Sequence, residues 1–108
     1  MTTELVRWGG GLPSRGREIV RLLCGTANVT MELRQRMGDA ERLGEMLGLT
    51  PHFAWRLACD AAIKLGFGPT GREAWWHLVR HDLPGGDPPA EAWLRAAGLE
   101  DDGTWVNP

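Results

Sequence analysis

From Asp39 to Gly66 apolar residues recur at intervals of three and four. Leu43, Met46 and Leu47 form one run, and Phe53, Leu57, Ala58, Ala61 and Leu65 form the next. This is the spacing of a single helical face. Asp39 fits an N-cap for the first helix. Gly48 is placed to end it. Thr50 then caps a second helix with Pro51 at its first position, and Gly66 stops the run. The same reading extends along the chain. Ser14 caps a helix holding Ile19, Leu22 and Leu23, ending near Cys24 with Gly25 at its C-terminus. Thr70 and Glu73 form a capping box for a helix running to about His81, with Ala74, Trp75, Leu78 and Val79 inward and Arg72, Trp76 and Arg80 outward. Pro88 opens a short last helix with Ala92, Trp93 and Ala96, ended by Gly98.

Residues 26–38 fit two patterns. Val29, Met31 and Leu33 alternate with Thr30, Glu32 and Arg34 as in a strand, whereas Val29, Leu33 and Met37 share one helical face, with Asn28 or Thr30 as its cap. Met, Glu, Leu, Arg and Gln are good helix formers and favour the helix. The expected fold is therefore all-α: four to five short helices in a single domain (1–108) around a central helix-turn-helix hairpin. An irregular arm covers 1–13 and an acidic tail 99–108. A strand at 28–34 would give a ribbon-helix-helix order instead.

Composition narrows the functional classes. The chain has 108 residues, 43% hydrophobic and 24% charged, as in an ordinary globular domain. There is no apolar run long enough to cross a membrane and no leader pattern, so a cytoplasmic, membrane-free protein is expected. Cys24 and Cys59 are expected as buried free thiols. The net charge of −2 conceals an asymmetry. Residues 1–36 carry six Arg against three Glu, and residues 82–108 one Arg against six carboxylates. Such a front and tail steer anionic partners to one side or pair one subunit with another. There are six Trp and no Tyr. A chain this small cannot bury all six, and Trp is enriched at interfaces; Trp55 and Trp76, beside their helices' main stripes, are the interface candidates.

Enzyme signatures are absent. Ser14 is the only serine, Gly9–Gly11 lacks the Gly-Lys-Ser/Thr of a phosphate loop, and adjacent carboxylates occur only at Glu100, Asp101 and Asp102. Glu73, His77 and His81 share a helical stripe, but two imidazoles need further ligands to hold zinc, so neither a metal nor any other cofactor is expected. In a helix-turn-helix, Gly44, Gly48 and Leu49 occupy the small-residue and turn positions. The second helix would then present His52, Trp55, Arg56 and Lys64 outward. Ala54 stands where a larger aliphatic residue usually locks the two helices, and Phe53, Trp55 and Leu57 read base edges poorly. In the ribbon alternative, Glu32 in the reading face opposes a polyanion.

The segment Gly48–Cys59, GLTPHFAWRLAC, resembles the helix-turn-helix of the DndE family, small proteins of bacterial DNA phosphorothioation systems. The match rests on Gly48, Leu49, Thr50, Pro51, Arg56, Leu57 and Ala58, twelve residues of span in 108. That family uses surface lysines, whereas this chain has only Lys64, and the region after Gly66 has no counterpart. The resemblance implies an oligomeric helical protein that associates with DNA at backbone breaks within a phage-defence system.

The expected function is thus a non-enzymatic, oligomeric DNA-associated accessory protein, with Arg15, Arg17, Arg21, Arg34, Arg36 and Arg56 on phosphates. The alternative is a protein–protein module, an assembly subunit or adaptor within a larger complex, using exposed Trp. Geometry separates the two. A DNA binder gathers these arginines on one face, and an adaptor scatters them and shows an apolar Trp-bearing patch.

Overall fold

The computed structural model describes residues 11–67 and 88–106, and within them the chain is all-helical. Four helices are formed: α1 (Ser14–Ala27), α2 (Leu33–Leu47), α3 (Pro51–Lys64) and α4 (Ala90–Ala96). The arm up to residue 10, the predicted helix from Thr70 to His81 with Trp75, Trp76 and the Glu73–His77–His81 stripe, and most of the loop before Pro88 lie outside the described residues.

Three helices end in the same way. Gly48, Gly66 and Gly98 adopt positive φ (72°, 96° and 79°), where only glycine is unstrained. The residue after each glycine is apolar, and its N–H returns to the last helical turn: Leu49 to the Gly44 carbonyl at 2.9 Å, Phe67 to Ala62 at 3.0 Å, and Leu99 to Leu94 at 2.8 Å. This is the Schellman arrangement, which satisfies the exposed carbonyls and folds an apolar side chain back onto the helix. Phe67 and Leu99 are fully buried as a result. At the start of α3 the Thr50 hydroxyl accepts the Phe53 N–H at 3.3 Å, with Pro51 at the first position as predicted.

Four boundaries differ from the sequence reading. Ser14 is the first residue of α1, with Pro13 at the cap position, and α4 begins at Ala90 with Pro89 at its cap rather than at Pro88. One contact bears on the other two. α1 runs through Gly25 to Ala27, and α2 begins at Leu33, so Asp39 lies inside a helix rather than at its cap. A side chain at Gly25 would collide with the Asp39 carboxylate. Gly25 is therefore a site of close helix approach, not a terminator. Nor do residues 28–34 form a strand. The Asn28 side chain accepts from the Thr30 N–H (3.0 Å) and hydroxyl (2.6 Å), an Asx turn that reverses the chain before Leu33 enters α2. The ribbon-helix-helix alternative is thereby excluded.

α1 packs on both α2 and α3, and α4 packs on α1 and α3. The core contains Ile19, Leu22, Leu23, Leu43, Leu47, Phe67, Trp93, Leu94 and Leu99. The α3 residues fully buried in it are all small, Ala54, Ala58, Ala61 and Ala62, with Leu57 half-buried against it, which lets the α3 backbone approach its neighbours. Ala54 thus fills its site by closeness rather than bulk. Phe53, predicted on the inner stripe, is instead 60% exposed. Phe67 stacks on Trp93 with centroids 5.4 Å apart.

The acidic tail is folded as far as Val106. Glu100 N–H donates to the Thr104 carbonyl at 2.7 Å and Val106 N–H to Gly98 at 3.0 Å, closing a small hairpin whose backbone pairs at Leu99 and Trp105. It lies across the start of α1, with the Asp101 carbonyl over Gly16 and Gly103 against Ile19.

Candidate functional site

Four of the six arginines singled out in the sequence hydrogen-bond within the chain. Arg15 donates to the Met46 carbonyl, tying the start of α1 to the end of α2. Arg17 reaches only the Ser14 hydroxyl at 3.3 Å. Arg21 grips Glu18 through two hydrogen bonds, at 2.8 and 3.1 Å. That pairing lowers the Glu18 pKa and raises that of Arg21. Arg15 and Arg17 stand two residues apart, about 200° around a helix of 3.6 residues per turn, and so do Arg34 and Arg36.

Arg36 is the most committed of the six. Its Nε donates to the Thr26 carbonyl at 2.9 Å, at the C-terminal end of α1, and its guanidinium lies 4.3 Å from the centroid of the Trp55 ring on α3. One side chain therefore joins α1, α2 and α3. It holds an α1 carbonyl that has no partner within its own helix and covers an aromatic face. Of these six, Arg34 and Arg56 are exposed without a hydrogen-bonding side chain or carbonyl among the described residues, as is Arg95 on α4.

Some of the exposed apolar surface lies along α2 and α3. Between α2 and α3 lies a groove of about 330 Å³ lined by Met37, Ala40, Glu41, Pro51, His52 and Trp55. The close approach that creates it begins at Gly44, where a Cβ would stand 2.5 Å from the Leu49 carbonyl. Ala40, almost fully buried, is its floor. Met37 and Leu33, four residues apart, carry an apolar stripe along α2; Leu33 is 62% and Met37 49% exposed. On α3, Trp55 lines the opposite wall, and Cys59 and Ile63 follow it at the same spacing, with Ile63 48% exposed. Glu41 is the only acidic residue lining the groove.

Trp55 was legible in the sequence as an interface candidate, and it is half-buried at the groove. Trp76 lies outside the described residues. The sequence places Met37 and Leu33 on one helical face with Val29 and does not mark that face as a groove wall. The signal that would have exposed them is the alanine-rich inner face of α3, which leaves larger side chains to flank the contact rather than fill it.

Both cysteines are free and partly buried. Burial pushes the Cys24 thiol up to about 12. It raises Cys59 as well, against the opposing charge of Arg36. No group of three potential metal ligands occurs among the described residues, and no described helix is long and apolar enough to cross a membrane. A hollow of about 660 Å³ lies on the tail hairpin, lined in part by Glu100, Asp101, Asp102, Leu99 and Val106. No protein-family model matches this chain, nor does any curated protein or solved structure.

Proposed function

We propose that this chain is a non-enzymatic protein-interaction module whose docking surface is the α2–α3 groove. The observation that carries this reading is the exposure of apolar side chains along α2 and α3, beside arginines that spend their donors within the chain. Arg15, Arg21 and Arg36 are engaged within the fold, while Leu33, Met37 and Ile63 stand exposed beside Trp55. An apolar patch of this kind, rimmed by polar residues, marks an interaction site. An apolar anchor from a partner would enter between Met37 and Trp55, while Arg34 and Arg56 set orientation from the rim.

DNA association is the second reading. It is favoured by Arg34 and Arg56, which are unpaired, and by the exposed N-terminus of α3 at Pro51–His52, in the segment that resembles the phosphorothioation family. One pair of measurements separates the two. The groove should bind anilinonaphthalene sulfonate, an apolar fluorophore with one anionic group, and Met37→Glu should abolish the signal. The protein should leave labelled intact, nicked and single-stranded DNA unbound at ~50 mM salt, where phosphate contacts are strong. DNA binding that weakens steeply with salt and disappears in an Arg34→Ala/Arg56→Ala double variant would replace the groove reading with the DNA one.

A further inference from the structure

We propose that the solvent-facing side of α2, which carries Arg34, Met37, Gly38 and Glu41, pairs with the same side of a second copy, antiparallel and about a two-fold axis. Seven residues are close to two helical turns, so Arg34 and Glu41 lie on one line along α2, about 10.5 Å apart. Met37 and Gly38 sit midway between them, each about 50° to one side of that line. All four residues are exposed. The other exposed charges of α2 satisfy each other, since Arg42 holds Glu45 at 3.2 Å. Arg34 and Glu41 make no ion pair or hydrogen bond among the described residues, and they stand too far apart to pair within one chain. Running α2 antiparallel to itself, with the axis between Met37 and Gly38, sets Arg34 of each copy beside Glu41 of the other. The face is therefore its own complement in charge, and symmetry forms the ion pair twice. A parallel arrangement sets Arg34 on Arg34 and Glu41 on Glu41, and repulsion opposes it.

Gly38 gives the pairing its centre. Glycine inside a helix is less favourable than alanine. Nothing within the chain recovers that loss, because a Cβ at Gly38 would meet no atom within 4 Å, whereas one at Gly16, Gly25 or Gly44 would collide with a neighbouring segment. On the two-fold axis the open space is used. The two Gly38 residues face each other on one side of the axis, and the missing side chains let the helix backbones approach. On the other side the two Met37 side chains, each 49% exposed in the single chain, cover one another. An unbranched thioether adapts readily to such a contact. Contact between two 15-residue helices is small beside a standard interface, so the association is weak and depends on concentration. The apolar contact supplies attraction, and the charges fix the antiparallel register. An isologous contact closes on itself, so assembly stops at the dimer. Met37 and Glu41 also line the α2–α3 groove, but the pairing stands whether or not the groove takes a partner.

Sedimentation velocity on the full chain tests the pairing, from ~10 to ~1,000 µM protein and at ~50 and ~500 mM salt, a range over which exposed charge pairs are progressively screened. The mass should rise with concentration from 11.9 kDa toward twice that value, stop there, and rise less at high salt. Arg34→Glu and Glu41→Arg should each weaken the dimer at least ~10-fold, because like charges then oppose each other across the axis. The double variant Arg34→Glu/Glu41→Arg should dimerise again. So should an equimolar mixture of the two single variants, in which every opposed pair is complementary, a rescue that a merely structural effect would not give. Gly38→Leu should leave circular dichroism unchanged, since its side chain enters open space in the single chain, yet it should block the dimer. A monomer at every concentration overturns the proposal. So does a dimer indifferent to Arg34→Glu or to Gly38→Leu, or a mixture of the single variants that stays monomeric. None of these failures touches the groove, which Gly38 does not line. Fluorophore binding by Gly38→Leu reads the groove alone.

Discussion

Gly16 and Gly38 are both helical glycines, yet opposite effects are expected from giving each a methyl group. In an open helix, Gly→Ala stabilises by up to about 1 kcal/mol, mostly by restricting the unfolded chain. Gly38 meets nothing within 4 Å, so Gly38→Ala should raise the urea midpoint. At Gly16 the new Cβ meets the Asp101 carbonyl, a backbone atom that cannot rotate away. Gly16→Ala should therefore destabilise by about 1–3 kcal/mol, the usual cost of overpacking. Cys24 supplies a pH dependence at the same scale. Its folded pKa stands near 12, above its ordinary 9.0. Below pH 9 the thiol is protonated in both states and contributes no slope. Above pH 9 the unfolded chain releases a proton that the folded chain retains, so stability falls as pH rises toward 12. Urea midpoints measured from pH 7 to pH 10.5 should be level and then decline, and Cys24→Ala should flatten the decline. None of this was legible in the residues themselves. A glycine in a helical pattern signals a terminator, a close contact or nothing, and only the neighbouring segment decides which.

The helix ends were the most legible elements, because glycine and the residue after it carry the signal together. Gly48-Leu49, Gly66-Phe67 and Gly98-Leu99 each place a left-handed residue before an apolar one, and each ends a helix. Gly25 and Asp39 were misread for a related reason. A helix-ending glycine and a capping aspartate look the same as a glycine and an aspartate that touch across two helices. Local pattern cannot separate them, since the contact spans a turn and two helical segments. Arg36 shows the same limit: it read as one of six phosphate contacts, but it fastens α1 to α2 and α3. Its hydrogen bond and its stacking on Trp55 together suggest a loss of about 2 kcal/mol on Arg36→Ala. Arg36→Lys should recover little of this, because an ammonium lacks the planar fork. Arg34→Ala, two residues earlier on the exposed side, should stay within about 0.5 kcal/mol. Urea denaturation followed by Trp fluorescence reads all three. Equal losses at Arg34 and Arg36 would mean that Arg36 does not fasten the helices.

At the scale of the molecule, the all-α class followed from periodicity and capping, while the shape of its surface did not. Alanine faces on α3 bring the backbones close, and the side chains excluded from that contact become the groove. Periodicity marks a face as apolar but does not report how near the opposing helix comes. The acidic tail shows a complementary limit of composition. Glu100, Asp101 and Asp102 give the segment an acidic, solvated composition, yet Leu99, immediately before them, is 1% exposed and packs in the core cluster. The Schellman bond to Leu94 turns Leu99 inward, and the hairpin that follows lies along α1, leaving its charges outward. The tail is thus part of the fold's closure, and its removal should be felt throughout. Leu99→Ala should cost about 2–5 kcal/mol, as for other buried leucines. For a small domain with roughly 5–15 kcal/mol in total, that is a large share. The expected outcome is a lower urea midpoint with an unchanged slope, because the whole core still unfolds as one unit. Trp105→Ala, on the outer side of the same hairpin, should leave the midpoint of the monomer nearly unchanged. A small effect of Leu99→Ala would mean that the hairpin opens independently of the helices.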